Sequence, residues 1–357
     1  MSPISVIAIR LLLAGTVLLL GIHPVSAGRL GPGYYPNVPL VNQDGETLYF
    51  YDDVIKGKVV SINFMFTSCP DSCPLETAKL REVQKRLGEH VGKDVFMYSI
   101  TVDPERDTPA VLKAYMEKFE VARGWQFLTG KKEDIDLIRR KLAMYNEDED
   151  ELSDHAINFI MGNEATGQWV KRTPFDVPQS LVAVLLGRLQ KGSLISSQAQ
   201  PSYATATRLP TARTGEDLFV TRCTACHTIG QGDKLGPDLL GVTSKRDRLW
   251  LIRWLQAPDV MLKERDPIAL ALYAQYNNVA MPNVKLTGAD ILALIEYLQE
   301  ETRRVNAMAA GARPQSDNLK TPLQAKPTPG ASATTAPGNT PLEDQARAEL
   351  APVNDVQ

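Results

Sequence analysis

The sequence predicts two domains of different class, an α/β domain followed by a mostly helical one. Three observations carry this reading. Between about residues 31 and 192, short apolar runs fit for buried strands alternate with segments of helical period. Residues 193–213 then turn to Ser, Ala, Thr, Gln and Pro, the composition of a flexible linker. Residues 214–304 show few strand signals and several amphipathic helix signals. At 357 residues the chain is long enough for two separate cores.

The elements of the first domain follow in order. Residues 59–66 (VVSINFMF) form an apolar run suited to a buried strand. Residues 74–90 read as a helix, with Ala78, Leu80, Val83 and Leu87 near helical spacing. Residues 95–102 make the next strand, and Thr108-Pro109 opens a helix through Leu112, Tyr115, Met116 and Phe119. Residues 132–144 are helical by period, 156–161 strand-like, and 179–189 helical. This alternation predicts an α/β sandwich with a largely parallel sheet. In the second domain, helices are expected before Cys223, at 250–255 and at 290–298. From 305 to 357 the chain is rich in Ala, Pro and Thr without a sustained apolar period, which predicts a disordered tail.

The N-terminus reads as an export signal. Arg10 precedes an apolar run over 11–22, and Val25-Ser26-Ala27 offers small residues before Gly28. A cleaved signal over 1–27 and a retained anchor are the two readings, since a run begun at Val6 nears the ~20 residues that a membrane span needs. Either way the bulk of the chain lies outside the cytoplasm, in the periplasm or against the outer face of the inner membrane. The net charge of −3 gives no reason to expect a nucleic-acid partner.

All four cysteines fall into two clusters. Cys223-Thr224-Ala225-Cys226-His227 is a C-x-x-C-H, the attachment signature of a c-type haem, with two thiols for the vinyl groups and a histidine for the iron. Cys69-Pro70-Asp71-Ser72-Cys73 is a C-x₃-C, in which Cys69 ends a strand-to-loop passage and Cys73 opens the next helix. Four residues is close to one helical turn, so both sulfurs can face the same side. A helix N-terminus favours thiolate, and two thiolates suit a soft ion such as Cu(I), while the same pair can close a disulfide.

At this point a family resemblance emerges. The stretch 66–74 (FTSCPDSCP) resembles the signature of the SCO/SenC family, 99–109 (SITVDPERDTP) resembles its second motif, and Asp154-His155 before a strand-like run matches its third. The resemblance covers roughly residues 40 to 192. It implies a thioredoxin-like fold and a copper site made by Cys69, Cys73 and His155. It further implies delivery of copper to the binuclear centre of cytochrome c oxidase, or reduction of the cysteines there. Asp103 and Asp107 are read as structural support beneath the copper loop, with Asp107 or Thr108 capping a helix. A departure from the family is the acidic run 147–151 shortly before His155, a solvated loop or a patch that steers cations.

The segment around the second cluster is similar to a small class I cytochrome c domain. His227 is then the proximal ligand, and 235–239 (LGPDL) resembles the loop that packs a proline and a carbonyl near it. The distal ligand is expected to be Met281, which precedes Pro282 and so leaves helical geometry, with Met261 as its rival. His/Met ligation suits an electron carrier without an open substrate position.

The leading reading is therefore an exported metallochaperone fused to an electron carrier, with copper and one covalent haem c. The haem either reduces Cu(II) or keeps Cys69 and Cys73 reduced. The alternatives are a thiol–disulfide oxidoreductase driven through the haem, with Cys69 and Cys73 catalytic and no stored copper, and a redox sensor or peroxide-reducing thiol protein. The partners implied are a copper or thiol acceptor such as the oxidase's copper subunit, and a redox partner for the haem.

Overall fold

A computed structural model of the protein describes residues 30–69, 72–145, 158–189 and 214–311. The expected signal, the linker, the acidic run, His155 and most of the expected tail lie outside these residues.

The first domain is built on one seven-stranded sheet. Its strands are β1 (Pro39–Asn42), β2 (Thr47–Tyr49), β3 (Val59–Met65), β4 (Val95–Thr101), β5 (Trp125–Gly130), β6 (Phe159–Asn163) and β7 (Gln168–Arg172). They lie in the order β2-β1-β5-β4-β3-β6-β7. β3 sits near the middle and is buried along its whole length, as its largely apolar run requires, with Ser61 and Asn63 as buried polar residues within it. Only the β3–β4 and β4–β5 pairs are parallel. The β1–β2, β1–β5, β3–β6 and β6–β7 pairs are antiparallel, so the expectation of a largely parallel sheet is corrected to a mixed one. The cause lies at the two edges. Two short hairpins, PLVN–TLY and FIMGN–QWVKR, add antiparallel strands on either side of a parallel centre.

The helices of this domain are α1 (Cys73–Leu87), α2 (Pro109–Lys118), α3 (Lys132–Lys141) and α4 (Pro178–Val182). α4 runs on through a wider π-helical stretch, Ala183–Leu189. α1 has Pro74 in its first turn and ends at Gly88, whose φ of 54° suits glycine. α2 is capped by the Thr108 side chain, which accepts from the Val111 N–H.

The second domain is helical: α5 (Gly215–Leu218), α6 (Val242–Lys245), α7 (Arg248–Gln256), α8 (Pro258–Lys263), α9 (Pro267–Gln275) and α10 (Gly288–Ala309). α5 continues as a π-helical turn, Phe219–Cys223, directly into the C-x-x-C-H. Capping boxes start both α5 (Thr214 with Asp217) and α10 (Thr287 with Asp290). The two helices cross closely at Gly215, where an added Cβ would clash with the Ala293 carbonyl oxygen. α10 extends past residue 304 to Ala309, so the first residues of the expected tail are helical instead.

α1 joins the two domains. Twelve of its residues are buried, including Glu76, Lys79, Arg81 and Gln84, an unusual number of charged and polar groups for a helix beside a sheet. One face meets the sheet core through Ala78, Leu80, Val83 and Leu87. The other carries Leu75, which belongs to the apolar core of the second domain with Leu218, Phe219 and Ile295. Reciprocally, Ala225 and Leu235 of the second domain belong to the core cluster of the first.

Candidate functional site

The thiol pair sits where β3 gives way to α1. Residues 66–69 turn tightly, with the Cys69 N–H donating to the Phe66 carbonyl at 3.3 Å. Asp107, fully buried, fastens this turn from below. It accepts from the Thr67 N–H at 3.0 Å, from the Thr67 hydroxyl, and from the Thr101 hydroxyl. The Asp103 N–H donates to Thr101 Oγ1 at 3.0 Å, and Asp103 pairs with Arg106 at 2.6 Å. The second sequence motif thus supports the cysteine loop, and Thr108, not Asp107, caps α2.

Cys69 and Cys73 are both buried, with their side chains in mutual hydrogen-bonding contact. Burial pushes the Cys73 thiol well up, and the neighbouring Cys69 adds to the effect. The helix-terminus argument for an easily formed thiolate is therefore corrected: here desolvation outweighs the helix N-terminus. A metal must displace protons from this pair in order to bind. Among the described residues no cluster of three His, Cys, Asp or Glu forms a metal site. The expected third ligand, His155, lies outside them.

Two charged residues beside this pair escaped the sequence reading. Glu76 is fully buried one turn into α1, and burial pushes its carboxyl up to about 8. It ends a chain of hydrogen bonds running from Trp125 Nε1 to Ser99 Oγ (3.0 Å), from Ser99 to Asn63 Oδ1 (2.7 Å), and from Asn63 Nδ2 to Glu76 (3.4 Å). Lys79 is also fully buried, and its Nζ donates to the Thr221 carbonyl of the second domain at 3.1 Å. Both residues look like ordinary solvent-facing helix positions in the sequence. Only the second domain covering α1 makes Lys79 a buried cation.

In the second domain, Cys223, Cys226, His227 and Met281 line one cavity of about 370 Å³. His227 donates from Nδ1 to the Pro237 carbonyl at 2.9 Å, which leaves Nε2 as the acceptor nitrogen. Burial lowers its basicity, so the neutral imidazole is favoured. Gly236 permits this packing, because a Cβ there would lie 2.6 Å from the His227 ring. Asp238 knits the loop together by accepting from the Gly230, Gly232 and Leu240 N–H groups and the Thr228 hydroxyl. Burial alone would raise its carboxyl, but these bonds hold it down at about 2. Met281 borders the cavity, whereas Met261 is buried in α8 in a cluster with Trp254 and Ala269. Burial raises Cys223 to about 12 and Cys226 to about 11, which keeps both as thiols until they are bonded. Two thiols, a neutral imidazole and a thioether around one apolar-lined cavity fit a covalently attached haem. An imidazole and a thioether are donors that haem iron would accept.

Comparison with known proteins gives matches for both halves. The SCO1/SenC family model matches residues 35–188, and the cytochrome c family model matches residues 212–301. An SCO2-like protein of Rickettsia felis is 35% identical over 156 residues, which span 42% of this chain and 73% of that protein. A protein of Stutzerimonas stutzeri described as copper-binding is 31% identical over 30% of this chain and 52% of its own length. Among solved structures, the cytochrome c domain of the pp3183 protein from Pseudomonas putida is 47% identical over 30% of this chain and 100% of that one, with a TM-score of 0.25.

Proposed function

We propose that this chain, which belongs to the SCO1/SenC family, is an exported copper-handling protein whose appended haem domain supplies electrons to its thiol site. Its cargo is a copper ion held by Cys69, Cys73 and His155 and passed to the binuclear copper centre of cytochrome c oxidase during assembly. Two soft thiolates and an imidazole suit Cu(I). A haem bound through Cys223 and Cys226, with His227 and Met281 on its iron, supplies one-electron transfer there. The signal-like N-terminus supports action outside the cytoplasm.

One observation carries the coupling of the two centres. The helix that begins with Cys73 lays its far face, Leu75 and Lys79, against the turn that carries Cys223 and Cys226. A haem bonded through Cys223 and Cys226 would therefore have its sulfur-bonded edge on the side of its domain that faces α1. One electron converts bound Cu(II) to Cu(I). Reducing a Cys69–Cys73 disulfide takes two electrons and two protons, hence two successive deliveries. Glu76, protonated near neutral pH, stands close enough to Cys69 to feel its charge.

The test uses the whole chain with its haem reduced. Added Cu(II) is expected to oxidise the haem, and a Cys69→Ser/Cys73→Ser chain is expected not to respond. Equal haem oxidation rates in the two chains would remove the coupling. The mutual contact of the two thiols also favours a second reading, a thiol–disulfide oxidoreductase without stored copper. Copper stoichiometry separates them, since one tightly held Cu(I) that weakens in His155→Ala supports the chaperone alone.

A further inference from the structure

Lys79 is a cation in an unusual place. Its side chain is fully buried on the α1 face turned away from the sheet. Its ammonium crosses to the second domain and donates to the neutral Thr221 carbonyl, two residues before Cys223. The other charges of this contact are largely paired with one another. Glu82 meets Lys234 at 3.6 Å, Arg81 meets Glu120, and Lys234 also donates to the Thr224 carbonyl at 2.9 Å. Arg222 lies over the Phe175 ring at 4.7 Å. The groups that act electrostatically on Cys226 are Lys79, Lys234 and Arg81 against Glu82, and those acting on Cys223 include Lys79 and Arg222. Positive charge prevails around both sulfurs. Lys79 is the contribution that docking brings from the first domain without a bonded carboxylate among the described residues.

We propose that Lys79 couples the docking of the two domains to the redox state of the haem: docking favours the reduced haem, and reduction in turn tightens docking. The argument is one of linkage and rests on the reading of the second domain as an electron donor to the first. The haem's sulfur-bonded edge is defined by Cys223 and Cys226, so a buried ammonium brought against their turn acts on the porphyrin iron through a medium of low dielectric. The ferric centre carries one more positive charge than the ferrous one, so the nearby cation disfavours the ferric form and raises the reduction potential. A coupling free energy is reciprocal. The factor by which docking favours reduction is therefore the factor by which reduction favours docking. The consequence for turnover is directional: the haem domain docks when it carries an electron and loosens once the electron has passed to the thiol or copper site. Loosening frees the haem edge for its next donor and the α1 face for the solvent. Electrons balance throughout, because the only oxidation is of the ferrous haem and the only reduction is at the Cys69/Cys73 site.

Lys79 is thus a positioning residue, tested through a potential and a shape instead of a rate. The experiment uses the full chain with covalent haem on a Cys69→Ser/Cys73→Ser background, so that only the haem changes redox state. Lys79→Met, which keeps most of the buried stem, is expected to lower the ferric-to-ferrous equilibrium constant about three- to tenfold, a fall of roughly 30 to 59 mV for a one-electron couple. Lys79→Arg, which retains the charge, is expected to recover at least part of that shift. Small-angle scattering of the chain with Lys79 intact is expected to show a more compact ferrous form and a larger extended fraction when ferric. This measurement stands even if Lys79→Met fails to fold. Identical potentials with and without the Lys79 charge, or scattering that ignores the haem oxidation state, would overturn the proposal. Either of those results in a chain that carries covalent haem leaves the electron-donor reading intact. A chain that attaches no haem removes that reading, and the proposal falls with it.

Discussion

The two cysteine pairs are equally spare in sequence but differ in how the fold completes them. The Cys223/Cys226 site is assembled almost entirely from one stretch of chain. α5 leads into the sulfurs, His227 follows at once, and the loop to Pro237 returns a carbonyl to the imidazole 2.9 Å away. Only Met281 comes from afar. The Cys69/Cys73 site is the opposite case, since its support comes from Asp107 some forty residues on and its expected third ligand is more distant still. Local sites survive changes elsewhere in a domain, whereas a site held by remote contacts inherits the stability of the whole sheet. That difference orders the predictions.

The largest effect is expected at the haem site proposed for the second domain. Cys223→Ser/Cys226→Ser should abolish covalent haem and leave an apolar-lined cavity of about 370 Å³ without its occupant. A domain that folds around its cofactor then loses cooperativity, because the binding free energy is folding free energy. Haem staining after denaturing electrophoresis should fall to background, and the thermal transition of the helical domain should broaden or vanish. Retention of a sharp transition would show that the second domain is stable without its haem.

Asp107→Ala tests the remote support of the first site. The substitution leaves the Thr67 N–H and the Thr67 and Thr101 hydroxyls without their acceptor in a buried position. The expected loss of stability is about 2–4 kcal/mol, read from chemical denaturation of the full chain. Cu(I) affinity should fall as well, because the loop before Cys69 is no longer held. A loss of stability with unchanged copper affinity would mean that the cysteines hold their own geometry.

The two methionines differ in the same local-versus-core sense. Met281→Leu should preserve the fold but remove the charge-transfer band of a methionine–iron bond and lower the haem potential. Met261→Leu should leave the haem spectrum unchanged and cost less than about 1.5 kcal/mol as a near-isosteric core change. The reverse pattern would reassign the distal ligand.

How much of this was legible beforehand follows from the same distinction. The C-x-x-C-H and the strand, loop and helix around C-x₃-C are contiguous signals, and the elements expected in the first domain appear within a few residues of their predicted bounds, whereas the helix expected at 290–298 runs from Gly288 to Ala309. The interior strand β5 (WQFLTG) is absent from the sequence expectation although Trp125, Phe127 and Leu128 are buried. Strands β1, β2 and β7 carry no sequence signal, because PLVN, TLY and QWVKR are short and show no run of apolar residues. Their hairpins are what make the sheet mixed. Glu76 and Lys79 were missed for a different reason. A Glu and a Lys three residues apart on a helix look like a solvated face, and nothing in the sequence says that Asn63 covers one and Thr221 the other. A polar face becomes a buried one only through tertiary contact, which the sequence pattern does not encode.

The smallest expected effect concerns Glu76 and has a definite sign. Its carboxyl is raised from the ordinary value of 4.5 to about 8, with burial as the main cause. Between those values the folded chain holds a proton that the unfolded chain has released, so stability falls as pH rises through this window. Below about 4.5 both states are protonated and the group contributes no slope. Glu76→Gln keeps a neutral group that can still accept from Asn63 Nδ2 and removes the slope. The variant should match the parent near pH 5 and melt at a higher temperature near pH 8. Copper affinity supplies a control of opposite sign. With the Cys73 thiol held protonated by burial, each thiol proton displaced makes apparent Cu(I) affinity rise with pH by about tenfold per unit, in the variant as in the parent. Parallel affinity curves with diverging melting curves would assign Glu76 to the stability of α1 alone. Affinity curves that separate between pH 5 and pH 8 would tie its proton to the thiols themselves.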